Sequence, residues 1–363
     1  MRIAHTADWH LGHPKVRSSS TIAGLRKFLL TELDVDLLCI AGDIFDRNIS
    51  FDSDEASEII DFLADVITRC YYTNTTLRVL QGTYTHDHNQ LLVWDRLYKK
   101  LGLPVDYRLF RTLSIEHVQS LGINILYVPD DLPFKHKHEV FDRITDLLTT
   151  HGIEQVDYVI FHGEFDNTIY SKFIANAFSI SDFDKICRGY ILAGHVHSAQ
   201  KHGKLIYAGS FNRLKHNEEE AKGYWIVNGA ETTFIENTDA LRFLTVDYTT
   251  DHDLDVILSK HQKLIGKLPV GVENHIRVII SDTHLKQALR SFHNSNHPEV
   301  QLTFKAKITV KDTDAFLEEK LRSKREELLE IPSIENLPRL ICQHLTSQSI
   351  DLTIEEVQHI LGG

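Results

Sequence analysis

At 363 residues the chain exceeds the size at which a single hydrophobic core usually stops growing, so two or three domains are expected, and 42% hydrophobic with 25% charged residues is an ordinary globular composition. A formal charge of −12 excludes a protein that coats nucleic acid by bulk electrostatics, though not an enzyme that acts on it. No apolar run reaches the roughly 20 residues of a membrane helix, there is no signal-peptide pattern, and Cys39, Cys70, Cys187 and Cys342 are too scattered for a disulfide framework or a thiolate site; a cytoplasmic chain with free thiols is expected.

Within the first dozen residues a short apolar strand runs into Asp8-Trp-His10. Residues i and i+2 of a strand point the same way, so Asp8 and His10 can reach one point, and a carboxylate with an imidazole suits a borderline divalent cation. A helical pattern follows at Ile22, Leu25, Phe28 and Leu29. The apolar run 36–41 is a second buried strand that breaks at Gly42-Asp43. A helix over 53–70, a third strand over 77–80 and the polar loop Gln81–His88, which contains Thr85, His86 and Asp87, come next. Helix 89–101, strand 123–128 and helix 137–151 continue the alternation. Two more apolar runs end in His162-Gly163 and in Gly194-His195-Val-His197. Further strands over 205–211 and 223–227 close this domain near residue 237.

Strands alternating with helices imply a largely parallel, helix-covered sheet whose ligand site lies beyond the carboxyl ends of its strands. All five clusters should therefore meet at one edge. From residue 241 a βαβαβ pattern predicts a small accessory α/β domain to 309, with no acidic or histidine cluster at its strand ends. The remainder, 310–363, reads as helical, with a capping box at Thr353-x-x-Glu356.

Asp8, His10, Asp43, His162, His195 and His197 are too many donors for one tetrahedral ion but suit two ions about 3.5–4 Å apart that share a carboxylate. Asp43, alone on its loop, is the natural bridge. Such a pair serves in-line displacement at phosphorus, so phosphoester hydrolysis is the inferred reaction, with His86 placed to protonate the leaving alkoxide. His5, His13, His88 and His151 are read as surface or supporting groups, Asp46 and Asp87 as groups that orient their neighbours, and Trp9 as packing. Gly42, Gly163 and Gly194 are read as tight turns.

The order Asp-x-His, Gly-Asp, His-Asp, His-Gly and Gly-His-x-His over roughly 1–235 resembles the calcineurin-like metallophosphoesterases. Asp8-Trp-His-Leu-Gly12, Gly42-Asp-Ile-Phe-Asp46 and Gly209-Ser-Phe…Lys222-Gly223 resemble more specifically the meiotic-recombination-eleven and SbcD-type nuclease subunits, including bacteriophage members. The resemblance implies an α/β metallophosphoesterase sandwich over 1–237, a DNA-capping α/β domain over 241–309 and a helical segment over 310–363 that grips an ABC-type coiled-coil ATPase. It also implies two manganese ions, one held by Asp8, His10, Asp43 and His197 and the other by Asp43, His162 and His195, with His86 catalytic beside Asp87. Cleavage of double-stranded DNA ends or hairpins and a homodimer are implied as well. The chain departs from the family's Gly-Asn-His-Asp at Thr85-His86-Asp87. A threonine there, shorter than asparagine, implies a weaker second metal site. Two other readings of the same residues are a phosphodiesterase or phosphatase for small substrates and a DNA-end-binding scaffold with a weakened nuclease.

Overall fold

The structure, a computed structural model, describes residues 1–305 apart from 32, 131, 133–136, 167–177 and 270. The expected helical segment over 310–363 and Cys342 lie outside the described residues. In chain order the elements are β1 (Arg2–Thr6), α1 (Ser18–Gly24), β2 (Leu37–Ala41), α2 (Asp54–Tyr72), β3 (Thr76–Leu80), α3 (Tyr84–Asp87), α4 (Val93–Leu101), β4 (Tyr107–Phe110), β5 (Ser114–Val118) and β6 (Ile123–Val128). Then follow α5 (Lys137–His151), β7 (Tyr158–His162), α6 (Ile180–Ile186), β8 (Ile191–Gly194), β9 (Gln200–His202), β10 (Leu205–Tyr207), β11 (Gly223–Asn228) and β12 (Glu231–Glu236).

These strands form two six-stranded sheets, ordered β12-β11-β1-β2-β3-β4 and β5-β6-β7-β8-β10-β9. The sandwich implied by the family resemblance is present, and the single parallel sheet read from the alternation alone is corrected. All five residues of β2 are buried because one face meets α1 and α2 and the other meets the second sheet. Ile3, Cys39 and Leu80 from the first sheet pack against Ile125, Ile160 and Leu192 from the second. α5 and α6 cover the far face of the second sheet around Phe161, Phe165 and Phe183.

Helix α2 begins where the Ser53 hydroxyl accepts the Ala56 N–H, with Asp54 and Glu55 in the first turn to complement the helix dipole. Its buried stripe of Ile59, Phe62, Leu63, Val66 and Ile67 lies on the first sheet, where Phe62 meets Trp9 at 5.6 Å between rings. Trp9 is fully buried and its indole N–H donates to Thr6, which supports the packing reading.

The sequence reading omits β4 and β5, short strands with polar residues among the apolar ones. Buried Arg78 on β3 explains how they are held. Its guanidinium donates to both oxygens of Glu116 on β5 at 2.8 and 2.9 Å, while Tyr127 on β6 donates to the same carboxylate at 2.8 Å. Asp106 and the carbonyl of Leu77 take the other guanidinium protons. This ion pair ties the first sheet to the second.

Residues 242–305 form a separate three-stranded parallel sheet, β13 (Arg242–Asp247), β14 (Asn274–Ile279) and β15 (Gln301–Lys305). The crossovers are α7 (Leu254–Ile265) and α8 (Thr283–Asn296), each started by an aspartate, Asp253 or Asp282, that accepts N–H groups of the first turn.

Candidate metal centre

The carboxyl ends of β1, β2, β3, β7 and β8 converge on one edge of the sandwich, the first three from one sheet and the last two from the other. Three overlapping groups result: Asp8, His10 and His197; His10, Asp43 and His86; Asp43, His162 and His195. Within each group the donor atoms lie no more than 4.8 Å apart. Asp43 belongs to two groups, as does His10. All six residues expected as ligands, together with His86, are thus brought into one place.

The backbone is bent to do this. Asp8 (φ 52°), His10 (φ 45°), Asp43 (φ 50°) and His195 (φ 85°) all occupy the left-handed region, which costs a non-glycine residue on the order of 1 kcal/mol or more. Four such residues at converging strand ends form a concentration of strain that packing alone does not require. Gly42 (φ 88°) completes the turn, since a Cβ there would lie 2.4 Å from His162 Nδ1 and 2.6 Å from the Gly82 backbone. At Gly194 a Cβ would meet the Ala41 carbonyl at 2.1 Å.

Neighbouring groups set each imidazole. His162 Nδ1 is 2.7 Å from the Ala41 carbonyl and donates to it, which leaves Nε2 as the open nitrogen. That Nε2 is buried 3.3 Å from Asp43 Oδ1 without hydrogen-bond geometry, an unpartnered nitrogen facing a carboxylate. His10 Nδ1 lies 3.1 Å from Asp46 Oδ1, so its Nε2 points at His197 Nε2, also 3.1 Å away. His197 is held in turn at Nδ1 by Glu218 at 3.3 Å. Carboxylate-backed histidines whose open nitrogens converge are the usual preparation for a divalent ion. Asp8 accepts the His195 N–H at 3.0 and 3.1 Å and so links the first sheet to the second.

The electrostatics point the same way. Burial opposes charge on both Asp43 and His162, yet they favour it in each other: Asp43 is held below the ordinary carboxylate range by His162, His10 and His86, and His162 is raised to about 10 by Asp43 and Asp8. In the metal-free protein a proton thus supplies positive charge where a cation would sit. Burial, then the charge of His162, keeps His195 lowered. Buried carboxylates and imidazoles with an unpartnered His162 Nε2 fit one or two borderline divalent cations.

The remaining candidates divide. His86 lies at the cavity, with Nδ1 2.8 Å from the Asp46 carbonyl, which leaves Nε2 as its other ring nitrogen there. Asp87 does not orient it. The fully buried Asp87 carboxylate accepts the N–H groups of Ile44 (2.9 Å), Phe45 (3.1 Å) and Gly82 (2.8 Å), stapling two site loops together, and burial with the nearby Asp43 raises it to about 7. These bonds give Asp87 the loop-orienting role expected of it.

Thr85 also stands elsewhere than expected. Its side chain is exposed on α3, whereas the Thr83 N–H donates to Asp43 Oδ1 at 2.6 Å and its hydroxyl lies 3.4 Å from Oδ2. The loop Gly82-Thr-Tyr-Thr-His-Asp87 is two residues longer than Gly-Asn-His-Asp, and Thr83, directly after the glycine, takes the inward position. Counting forward from the glycine, rather than back from the histidine, would have found it.

Of the supporting histidines, His5 is not at the surface. It is fully buried, Nε2 lies 3.2 Å from the carbonyls of both Ala193 and Ile206, and burial lowers it to about 4. His151 is exposed at the end of α5. Glu218 was missed by sequence reasoning. Burial would raise it, but His197, Lys222 and the Leu214 N–H lower it to about 2. A cavity of about 330 Å³ opens over the set, lined by His10, Asp43, Asp46, Thr83, His86, His195 and His197 together with His13, Leu214 and Lys215.

The chain is similar to known proteins to different extents. Residues 1–199 match the family described as calcineurin-like phosphoesterase. The SbcD component of the SbcCD nuclease of Staphylococcus epidermidis is 24% identical, over 73% of this chain and 74% of its own length. A solved crystal structure covering 65% of this chain and 99% of its own aligns with 14% identity and a TM-score of 0.40.

Proposed function

The chain belongs to the calcineurin-like phosphoesterase family, a family of metal-dependent phosphoesterases, and from that premise we propose that it is the nuclease subunit of a DNA-processing complex. The observation that carries the reading is the convergence of three overlapping Asp/His groups at one sandwich edge on strained backbone. In this reading Asp8, His10, Asp43 and His197 hold one divalent ion, most simply manganese, and Asp43, His162 and His195 hold the other, with Thr83 in place of the expected Thr85. Bound there, the ions supply positive charge at the phosphoryl oxygens and lower the pKa of water.

The chain's own residues do the rest. Asp46 and Glu218 keep the Nε2 atoms of His10 and His197 aimed inward. The Ala41 carbonyl holds a proton on His162 Nδ1 so that Nε2 stays free. His86, anchored at Nδ1, presents Nε2 to the cavity and passes a proton to the departing alkoxide. DNA as substrate draws on the similarity to the staphylococcal nuclease component, and the same similarity motivates a partner. That partner would be an ABC-type coiled-coil ATPase gripping 310–363, with 241–309 as the DNA-capping domain and a second copy of this chain completing a dimer. Recombination, repair or replication, in a bacteriophage or its host, is the setting this implies.

The test is degradation of an end-labelled linear duplex with manganese or magnesium, beside His86→Ser. Manganese-dependent nucleotide release by the wild type, lowered by at least about 100-fold in the variant while metal binding persists, is the expected result. Hydrolysis of a chromogenic phosphodiester with no attack on DNA, even when an ATPase partner is present, would favour a small-substrate phosphodiesterase instead.

A further inference from the structure

Beyond the metal-binding set and His86, two further donors line the cavity: His13 and Lys215. Lys215 is exposed and forms no ion pair among the described residues. The carboxylate nearest to it in sequence, Glu218, is already engaged by His197, by Lys222 at 3.2 Å and by the Leu214 N–H at 3.0 Å. Lys215 thus has no charged partner among the described residues and is free to meet an anion at the mouth of this cavity.

His13 is set up in a complementary way. Its Nδ1 accepts the backbone N–H of Lys15 at 3.2 Å, so a neutral ring carries its proton on Nε2, a donor.

We propose that His13 and Lys215 form an anion subsite for the phosphate adjacent to the scissile one, which makes the site selective for polyanionic strands over isolated phosphodiesters. The inference rests on the nuclease reading above. The scissile phosphate belongs to the Asp/His set. Lys215 and His13 lie at the same cavity but offer only donors and no carboxylate, so they suit an oxyanion that needs no ion between itself and the protein. An exposed lysine acts as a point charge, so the subsite should show as a salt-sensitive contribution to binding.

The experiment compares a short single-stranded oligodeoxynucleotide with bis(p-nitrophenyl) phosphate, using manganese-loaded full-length protein and the variants Lys215→Gln, Lys215→Arg and His13→Gln. For Lys215→Gln the loss should sit in KM rather than kcat, with KM for the oligonucleotide rising about 10-fold at low salt, as expected for one exposed charged contact. The slope of log KM against log salt should fall by about 0.7, and Lys215→Arg should recover most of both effects. The rise should be at least several-fold larger than for the chromogenic diester. An unchanged oligonucleotide KM and salt slope, or an equal rise for both substrates, would overturn the subsite. A wild type that cleaves the chromogenic diester but no oligonucleotide would instead overturn the nuclease reading beneath it.

Discussion

Replacing Glu116 with alanine should loosen the two sheets against each other and, through them, the site. Each sheet carries part of the Asp/His set, and the Arg78–Glu116 pair is a buried polar tie between them. Arg78 would keep Asp106 and the Leu77 carbonyl, so the cost of breaking the pair falls near the low end of the usual range, about 3 kcal/mol. Loss of the acceptor for the Tyr127 hydroxyl adds about 1 kcal/mol. Together these predict a fall in Tm of roughly 8–12 °C for a unit of this size. Thermal unfolding followed by circular dichroism in EDTA measures it. The double variant Arg78→Met/Glu116→Leu, which removes both charges, should return to within about 1 kcal/mol of the wild type. A Glu116→Ala cost below about 1 kcal/mol, or a double variant as unstable as the single one, would refute the view that a buried guanidinium deprived of its buried carboxylate dominates.

In the metal-free protein the His162 pKa is raised from 6.5 to about 10, so its stabilisation is complete below about pH 6.5 and lost as pH rises through 10. Tm in EDTA should therefore fall from pH 7 to 10, and saturating manganese should flatten the curve by taking the proton's place; a Tm that rises through this window would contradict the assignment. Glu218, lowered from 4.5 to about 2, acts with the opposite sign: its stabilisation is present above about pH 4.5 and lost on acidification through 2, and Glu218→Gln should reduce that acid dependence in the same melts. Gly42→Ala forces a side chain into left-handed backbone and against His162, and calorimetric titration should show at least a tenfold loss at the weaker metal site. Calorimetry on the wild type should itself resolve one tight and one weaker ion, a prediction that two equally tight sites would refute. Thr83→Val, which removes the hydroxyl beside Asp43 Oδ2, should weaken metal binding several-fold while Thr85→Val leaves it unchanged; the reverse order would put Thr85 back at the metal. Asp46→Ala should cost about 10–100-fold in metal affinity by freeing the His10 ring, read by the same titration.

Much of the site was legible because its chemistry sits at strand ends. Apolar runs that stop abruptly at Asp8-x-His10, Gly42-Asp43, His162-Gly163 and Gly194-His-x-His197 mark both the elements and the residues whose side chains emerge together. The accessory βαβαβ pattern was readable from its own periodicity, and 242–305 form a parallel sheet with two crossover helices. Thr83 was hidden because a two-residue insertion makes the motif ambiguous, and only the backbone path decides which threonine turns inward. Glu218 was hidden because a glutamate followed by two more reads as a solvated charge run, and only burial against His197 and Lys222 sets it apart.

The residues by themselves determined that alternating strands and helices would carry a convergent Asp/His set able to hold divalent ions. They did not determine that the strands divide between two sheets. Periodicity reports which face of a strand is buried but not what buries it, so a run covered on one side by helices and on the other by a second sheet looks the same as one covered by helices on both. The tertiary structure settled the rest: Asp8 and Asp43 come from one sheet, His162 and His195 from the other, and the spacing between them depends on inter-sheet contacts such as Arg78 with Glu116 and Asp8 with the His195 N–H, made by residues far apart in the chain.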